Sequence, residues 1–281
     1  MSWTAALGTF DGVHRGHRRV LETARARGLP VHALTFHPHP RSVVQGNLVE
    51  HVSSLERRVE LLREAGADEV RVLPFTLDTA AQGADDFVRE HLAGAAAVAC
   101  GPDFRFGHRR GGDLDTFRVH GLEVLPVEHV DGVSSSEIRR LVHEGDVRAA
   151  AAQLGRPFEL DGVVVPGDRR GGTLGYPTAN LALDPALLVP RYGIYAGAAR
   201  PGGAGEWHRA AVSVGTNPHY GGQERRIEPY LLDFEGDLYG QRLVVELWER
   251  LRDERAFESE AALVEQIGRD VEATRAAARP A

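Results

Sequence analysis

The stretch Gly8-Thr9-Phe10-Asp11-Gly12-Val13-His14-Arg15-Gly16-His17 constrains this chain more than any other. It follows a short apolar run, Trp3 to Leu7, that reads as a first strand. It leads into Arg18 to Arg27, whose composition favours a helix ending at Gly28. Strand, glycine turn and helix together aim backbone N–H groups and the positive end of a helix dipole at an anion. Gly12 and Gly16 leave room for a ligand to approach the backbone. His14 and His17 fall on the first helical turn, three residues apart and on one face, where both can donate N–H to phosphate oxygens. A histidine pair at a helix start is ordinarily a surface or capping feature. A metal site built from His14, His17, His37 and His39 is a further alternative. Zinc chemistry disfavours it, because structural sites usually include Cys and catalytic sites keep three ligands and an open position.

The chain's 281 residues suffice for two ordinary domains. Its net charge of −7 argues against a general nucleic-acid binder, which carries a basic balance. Anionic small molecules stay open, because arginines cluster locally at Arg105/Arg109/Arg110, Arg139/Arg140, Arg169/Arg170 and Arg225/Arg226. One cysteine, Cys100, precludes an intramolecular disulfide and fits a reducing compartment. The longest apolar run, around Ala93 to Cys100, falls far short of the ~20 residues of a membrane span. The first strand starts almost at Met1, which leaves no room for a cleavable signal peptide. The expectation is a cytoplasmic protein with no membrane and no nucleic-acid partner.

Strands and helices alternate through the first half. Val31 to Phe36 reads as a second strand, broken by His37-Pro38-His39-Pro40. Ser53 and Glu56 have capping-box spacing, opening a helix with Leu55, Val59 and Leu62 toward a core. Glu69 to Pro74, Ala95 to Cys100 and Leu122 to Val127 supply three more strands, with a helix over Asp85 to Leu92. Such βαβ alternation predicts a mostly parallel sheet with ligands at the strands' carboxyl ends. Two more motifs fall there. Gly101-Pro102-Asp103-Phe104-Arg105-Phe106-Gly107 can stack on a ring and hold a phosphate, although each phenylalanine alone is more often core. Ser134-Ser135-Ser136-Glu137-Ile138-Arg139 opens a helix with Ser134 and Glu137 in capping-box register; it is an ordinary cap or a second anion site with Arg139 one turn in.

After a connecting helix over Asp146 to Leu154, helical periodicity gives way to short strands: Phe158 to Val165, Gly193 to Ala198, Arg209 to Val214, Ile227 to Phe234 and Leu243 to Leu251. This spacing suggests an antiparallel sheet or small barrel. A helix over Ala262 to Ala278 closes the chain. The fold class expected is therefore α/β plus β: a Rossmann-like domain over 1–153, then a small antiparallel β-barrel with a terminal helix over 154–281. Gly167 to Asn180 is glycine-rich but is not a GxxxxGK[ST] phosphate loop, so by itself it signals little.

Resemblance sharpens these readings. His14-Arg15-Gly16-His17 resembles the HxGH signature of the nucleotidyltransferase superfamily. GTFDGVHRGH, TFHPHP, LERRVELL, LPFT, GPDFRFG and SSSEIR, in this order, resemble the FAD synthetase module of bacterial bifunctional riboflavin kinase/FAD synthetases. Pro177-Thr178-Ala179-Asn180 is similar to the PTAN motif of riboflavin kinases. The resemblance runs from Ala6 to about Thr274. It implies ATP-dependent phosphorylation of riboflavin to FMN, then transfer of AMP from ATP to FMN with release of pyrophosphate.

In the first module it implies His14, His17 and Arg139 as catalytic residues. Gly8, Phe10, Gly16 and Ser135 would bind ATP, and Pro38, Pro40, Asp103, Phe104 and Arg105 the flavin. In the second it implies Glu228 as the base, Gly167, Gly171, Thr178 and Asn180 at ATP, and Thr178 and Asn180 at Mg²⁺. The two chemistries differ in need. FMN's phosphate is already an anion, so no base is required, and positioning and charge neutralisation suffice. The ribityl hydroxyl of riboflavin is a poor nucleophile and needs its proton removed. Asp11 reads first as a turn residue and second as a ligand contact.

The chain departs from the family in a short start, a trimmed Asp113–Gly121 segment, His37 at a commonly acidic position, Asp103 for an asparagine, and Gly172 for a basic residue. The first three fall on the adenylyltransferase half and motivate an alternative in which only the kinase is active and the first module is weakened; Asp103 is a mild change, and Gly172, in the kinase loop, implies a lower ATP affinity. A non-enzymatic flavin-binding regulator is the third reading. The sequence leaves the oligomeric state unknown.

Overall fold

A computed structural model describes residues 2–167, 175–216 and 225–281. By packing, the chain divides into two compact units, Met1–Ser135 and Ser136–Ala281.

The first unit is a five-stranded parallel sheet in the order β3-β2-β1-β4-β5. The strands are β1 (Trp3–Leu7), β2 (Val31–His37), β3 (Glu69–Pro74), β4 (Ala95–Ala99) and β5 (Glu123–Leu125). Strand residues alternate between two buried faces, as a parallel sheet covered on both sides requires. Ala6, Ala33 and Ala99 face Val20, Leu21 and Ala24 of α1 (Arg15–Ala26) and Leu61 and Leu62 of α3 (Leu55–Glu64). Ala5, Leu7, Leu34 and Val98 face Phe87 of α5 (Ala84–His91) and Phe117 of α6 (Leu114–Val119). Two short helices, α2 (Pro40–Gln45) and α4 (Leu77–Ala81), bury no residue. The strand order reverses between β1 and β4, and ligands bind at such switch points. Both the GTFDGVHRGH and the GPDFRFG segments leave from there.

Helix α3 corrects one expectation. Its N-cap is Ser54, whose side chain accepts from Arg57 N, not Ser53. The buried residues are Arg57, Arg58, Leu61 and Leu62, while Leu55 and Val59 are only partly covered. Charged side chains thus occupy part of the face that periodicity gave to the core.

The second unit begins with α7 (Ser135–Glu144), less its first residue, and α8 (Val147–Leu154), capped by Asp146 and stopped by the left-handed Gly155. A six-stranded antiparallel sheet follows, in the order β10-β9-β8-β11-β6-β7. Its strands are β6 (Phe158–Val165), β7 (Asn180–Leu183), β8 (Gly193–Pro201), β9 (His208–Thr216), β10 (Arg225–Leu231) and β11 (Arg242–Arg252). The two edges approach each other where Ala179 N–H donates to the Pro229 carbonyl at 2.9 Å, so the sheet forms a nearly closed barrel. Pro229 suits this edge because it has a carbonyl to offer and no N–H to lose.

The terminal helix α9 (Glu260–Ala276) is tied on by charge. Arg252 of β11 forks onto Asp270 (2.7–3.1 Å), and Arg209 of β9 donates to the carbonyls of Thr274 and Ala277. Just beyond it, Arg279 reaches the buried Glu246 of β11.

Candidate active sites

The loop after β1 is fixed from beneath. Phe10 and Val13 adopt positive φ (50° and 40°), unfavourable for a β-branched valine, and both side chains are fully buried. Gly12, at φ 79°, completes the turn without that penalty. Three buried polar groups hold it. Asp11 Oδ1 accepts from Val52 N (2.9 Å), Ser53 Oγ accepts from Gly12 N (3.3 Å), and Arg58 Nη1 donates to Thr9 O (3.1 Å). Ser53, freed from capping, is thus a buttress of the loop. Asp11 is buried and serves the turn.

His14 is the N-cap of α1 and does not lie within its first turn: its Nδ1 accepts from His17 N at 3.3 Å. A neutral His14 therefore carries its proton on Nε2. The two imidazoles stack with centroids 3.6 Å apart, and a Cβ on Gly16 would lie 3.2 Å from the His14 ring. His17 keeps part of its surface open, yet its Nδ1 is enclosed with no hydrogen-bond partner. Burial, then His14 and Arg58, push its imidazole well below the ordinary histidine range. The Phe10 ring lies edge-on to His17 and over Gly8, so Phe10 can serve a ligand only through its backbone.

Arg58 escaped the sequence reading. It is 1% exposed, and its Nη1 donates to Thr9 O, Thr35 Oγ1 and Phe36 O, tying the ends of β1 and β2 together. Burial lowers its pKa, partly opposed by Asp11. The signal was present, since Arg58 stands at i+3 from Leu55 on the supposedly apolar stripe.

Pro38 and Pro40 follow β2, with Pro40 opening α2 behind the N-cap His39. His37 and His39 both lie near His51 (centroids 6.0 and 6.2 Å), a histidine the sequence reading also passed over. Among the described residues no group of three or more His, Cys, Asp or Glu is placed to hold a metal ion. In the loop after β4, Phe106 is core, stacked on Phe117 at 4.5 Å, whereas Phe104 is half-buried against that core. Asp103 is exposed, and Arg105 pairs with Asp113 at 2.9 Å. Ser135 Oγ donates to Asp11 O (3.0 Å), which ties the second motif to the first loop. Arg139 lies one turn into α7. Burial pushes the Cys100 thiol up to about 12, so it is no nucleophile.

In the barrel, the Ala179–Pro229 bond sets Thr178 and Asn180 beside Glu228. Thr178, Asn180 and Glu228 are all partly exposed. Asn180 lies directly over Gly167, where a Cβ would meet its Nδ2 at 2.0 Å. Arg226 stands 3.4 Å from Glu228 on the same face of β10. Tyr176 and Tyr230 meet edge-to-face at 5.4 Å. Gly171 and Asn217-Pro218 lie outside the described residues.

A strand–loop–helix at a parallel switch point, of the kind that receives anions, and a barrel whose seam joins the backbone beside Thr178 and Asn180 to that beside Glu228 are what a two-module phosphate-transferring enzyme requires. Comparison with known proteins narrows the class. The FAD synthetase family model matches residues 2–139 and the riboflavin kinase model residues 154–278. A bifunctional riboflavin kinase/FMN adenylyltransferase of Listeria monocytogenes is 35% identical over 96% of this chain and 91% of its own length. That of Escherichia coli is 35% identical over 94% and 89%. A solved structure from Streptococcus pneumoniae, described as a macrolide-efflux protein, is 32% identical with a TM-score of 0.86, covering 98% of this chain and 94% of that one.

The chain belongs to the bifunctional riboflavin kinase/FMN adenylyltransferase family. It phosphorylates riboflavin and adenylylates FMN, with ATP as co-substrate of both reactions. Matches to both modules disfavour the kinase-only alternative. Among the described residues no helix is long and apolar enough to cross a membrane.

Proposed function

We propose that residues 1–153 carry out AMP transfer and residues 154–281 the kinase step, in the cytoplasm and without nucleic-acid or membrane partners. In the first module His14 and His17 receive ATP phosphates at the start of α1, with the backbone of Gly8, Phe10 and Gly16 and the side chains of Ser135 and Arg139 completing the phosphate contacts. Pro38, Pro40, Asp103, Phe104 and Arg105 hold FMN. A neutral His17 donates to the triphosphate as pyrophosphate charge develops, and the enclosed loop keeps the donors in place.

In the second module Glu228 takes the proton of the ribityl hydroxyl as its oxygen attacks the γ-phosphorus of ATP. The observation that supports this reading is the Ala179–Pro229 hydrogen bond, which joins the backbone between Thr178 and Asn180 to the backbone next to Glu228. Gly167 and Gly171 belong to the ATP loop. Thr178 and Asn180 offer hard oxygen donors of the kind Mg²⁺ prefers, beside a glycine that leaves Asn180 its space. When bound there, Mg²⁺ would neutralise phosphate charge. Glu228→Gln should lower riboflavin phosphorylation at least ~100-fold, the scale of a general base, and leave FAD formation from supplied FMN intact. Equal loss of both activities in a folded variant would refute the division of labour.

A further inference from the structure

The arginine pair Arg225-Arg226 is divided between the two faces of β10. Arg226 pairs across the ladder with Gly215 and Glu228 with Ser213, so Arg226 and Glu228 share a face. Arg225, opposite Thr216, is turned to the other. It borders a surface cleft of about 290 Å³ within the second unit. The other described residues lining this cleft are His143 from α7 and Val189, Pro190, Arg191 and Tyr192 from the approach to β8. None of the six belongs to the kinase site described above.

The cleft has an apolar floor and a basic rim. Val189 and Pro190 are buried, whereas His143, Arg191, Tyr192 and Arg225 are exposed. The Tyr192 ring is among the most exposed large apolar side chains of the protein, with 41% of the residue open to water. The backbone beneath it is pinned at three points. Arg191 N–H donates to the Val142 carbonyl (3.3 Å), Tyr195 Oη donates to the Arg191 carbonyl, and Arg250 Nη2 donates to the Tyr192 carbonyl (2.5 Å). The Arg191 side chain, by contrast, is loosely held. Asp253 Oδ1 lies 3.4 Å from it but 2.5 Å from Arg250, so that carboxylate is committed to Arg250. A guanidinium carries five N–H donors, and most of those on Arg191 remain for a ligand.

Each part of the cleft matches a group of one ligand class. Guanidinium groups suit a phosphate, which they grip by charge-assisted and often bidentate hydrogen bonds. A tyrosine face above an apolar floor suits a flat ring. A pinned backbone keeps the ordering cost of binding low. Small-molecule sites span ~300–1,000 Å³, so the volume here stands at their lower end and suits a mononucleotide better than a dinucleotide of twice its size.

We propose that this cleft is a nucleotide site additional to the kinase centre of the same unit: it takes a mononucleotide, with the ring on Tyr192 and the phosphate between Arg191 and Arg225. Both products of the kinase reaction, FMN and ADP, have this chemistry. The site does not depend on which residue serves as the base.

Hydrogen exchange of the full chain, read on residues 187–196, tests it. FMN or ADP at ~1 mM, the scale of a weak site, should slow exchange there several-fold. Riboflavin, which lacks the phosphate, and pyrophosphate, which lacks the ring, should not. The nucleotide that protects identifies the source. Arg191→Glu, and Arg225→Glu on a different strand, should each raise the concentration needed by about ten-fold or more, as loss of a charge-assisted hydrogen bond implies. Both variants should phosphorylate riboflavin with the wild-type kcat, which also shows that they fold. Failure of both nucleotides to protect, equal protection by pyrophosphate, or protection undiminished in both variants would overturn the site. A kcat that falls in step with the lost protection would assign the cleft to the kinase centre and refute its separateness.

Discussion

Glu246 offers the sharpest stability test. It is 1% exposed in the middle of β11, yet it is a carboxylate. It accepts from Trp248 Nε1 at 2.7 Å and from Arg279 through Nε (2.8 Å) and Nη2 (2.6 Å). Breaking a fully buried ion pair costs about 3–5 kcal/mol, because the surviving charge is left without a partner. Here Arg279 is 53% exposed, so water can reach the carboxylate once the guanidinium is gone, and the screened cost falls to roughly 1–3 kcal/mol. For a unit of this size that corresponds to a fall of about 3–9 °C in melting temperature.

Arg279→Ala, followed by thermal and urea unfolding, measures it. The diagnostic comparison is the double variant. In a Glu246→Gln background no charge remains to be stranded, and Arg279→Ala should cost less than ~0.5 kcal/mol. An equal cost in both backgrounds would mean that Arg279 acts through its methylene packing, and the electrostatic account would fail.

Two further outcomes follow from the sites. Because the folded pKa of His17 lies below its ordinary value of 6.5, the folded first unit binds fewer protons than the unfolded chain. Its stability should be complete above that value and decline as pH falls toward the folded pKa, by at most about 1.4 kcal/mol per pH unit from this one group. His17→Asn should flatten that decline, and urea midpoints at pH 7.5 and 5.5 that fall equally in both proteins would exclude His17 as the source. Gly167→Ala places a Cβ 2.0 Å from Asn180 Nδ2 and should raise the kinase KM for ATP about ten-fold, a change of ~1.4 kcal/mol, with adenylylation unchanged; an unaltered KM would mean that Asn180 does not meet the nucleotide.

Much of this architecture was legible because local signals and tertiary demands agreed. β1, β3 and β6 have the bounds that apolar runs and glycine stops give them, and α1 ends before Gly28. Where one residue type serves two ends, the sequence was ambiguous. Ser53 and Ser54 are both good caps, and only the packed loop reveals that Ser53 belongs to Gly12. His14 reads as a helical residue until its ring is seen to cap the helix. Arg58 was hidden because a buried cation contradicts the pattern used to find cores, and its three acceptors come from loops and strands far off in the chain. β7 was missed since it is only four residues long and begins within a motif recognised for its chemistry. The neighbourhood of Thr178 and Glu228 is a property of barrel closure, which no local spacing encodes. Family likeness supplied that juxtaposition without its cause.

The cause is a main-chain tie, and this has a consequence for how such an enzyme can vary. Atoms common to almost every amino acid join positions 179 and 229, so either side chain can change without loosening the join, and at 229 even the amide hydrogen is dispensable. The hairpins threaded between them can lengthen, shorten or be recut at the Gly202–Gly205 turn while that main-chain join stays in place.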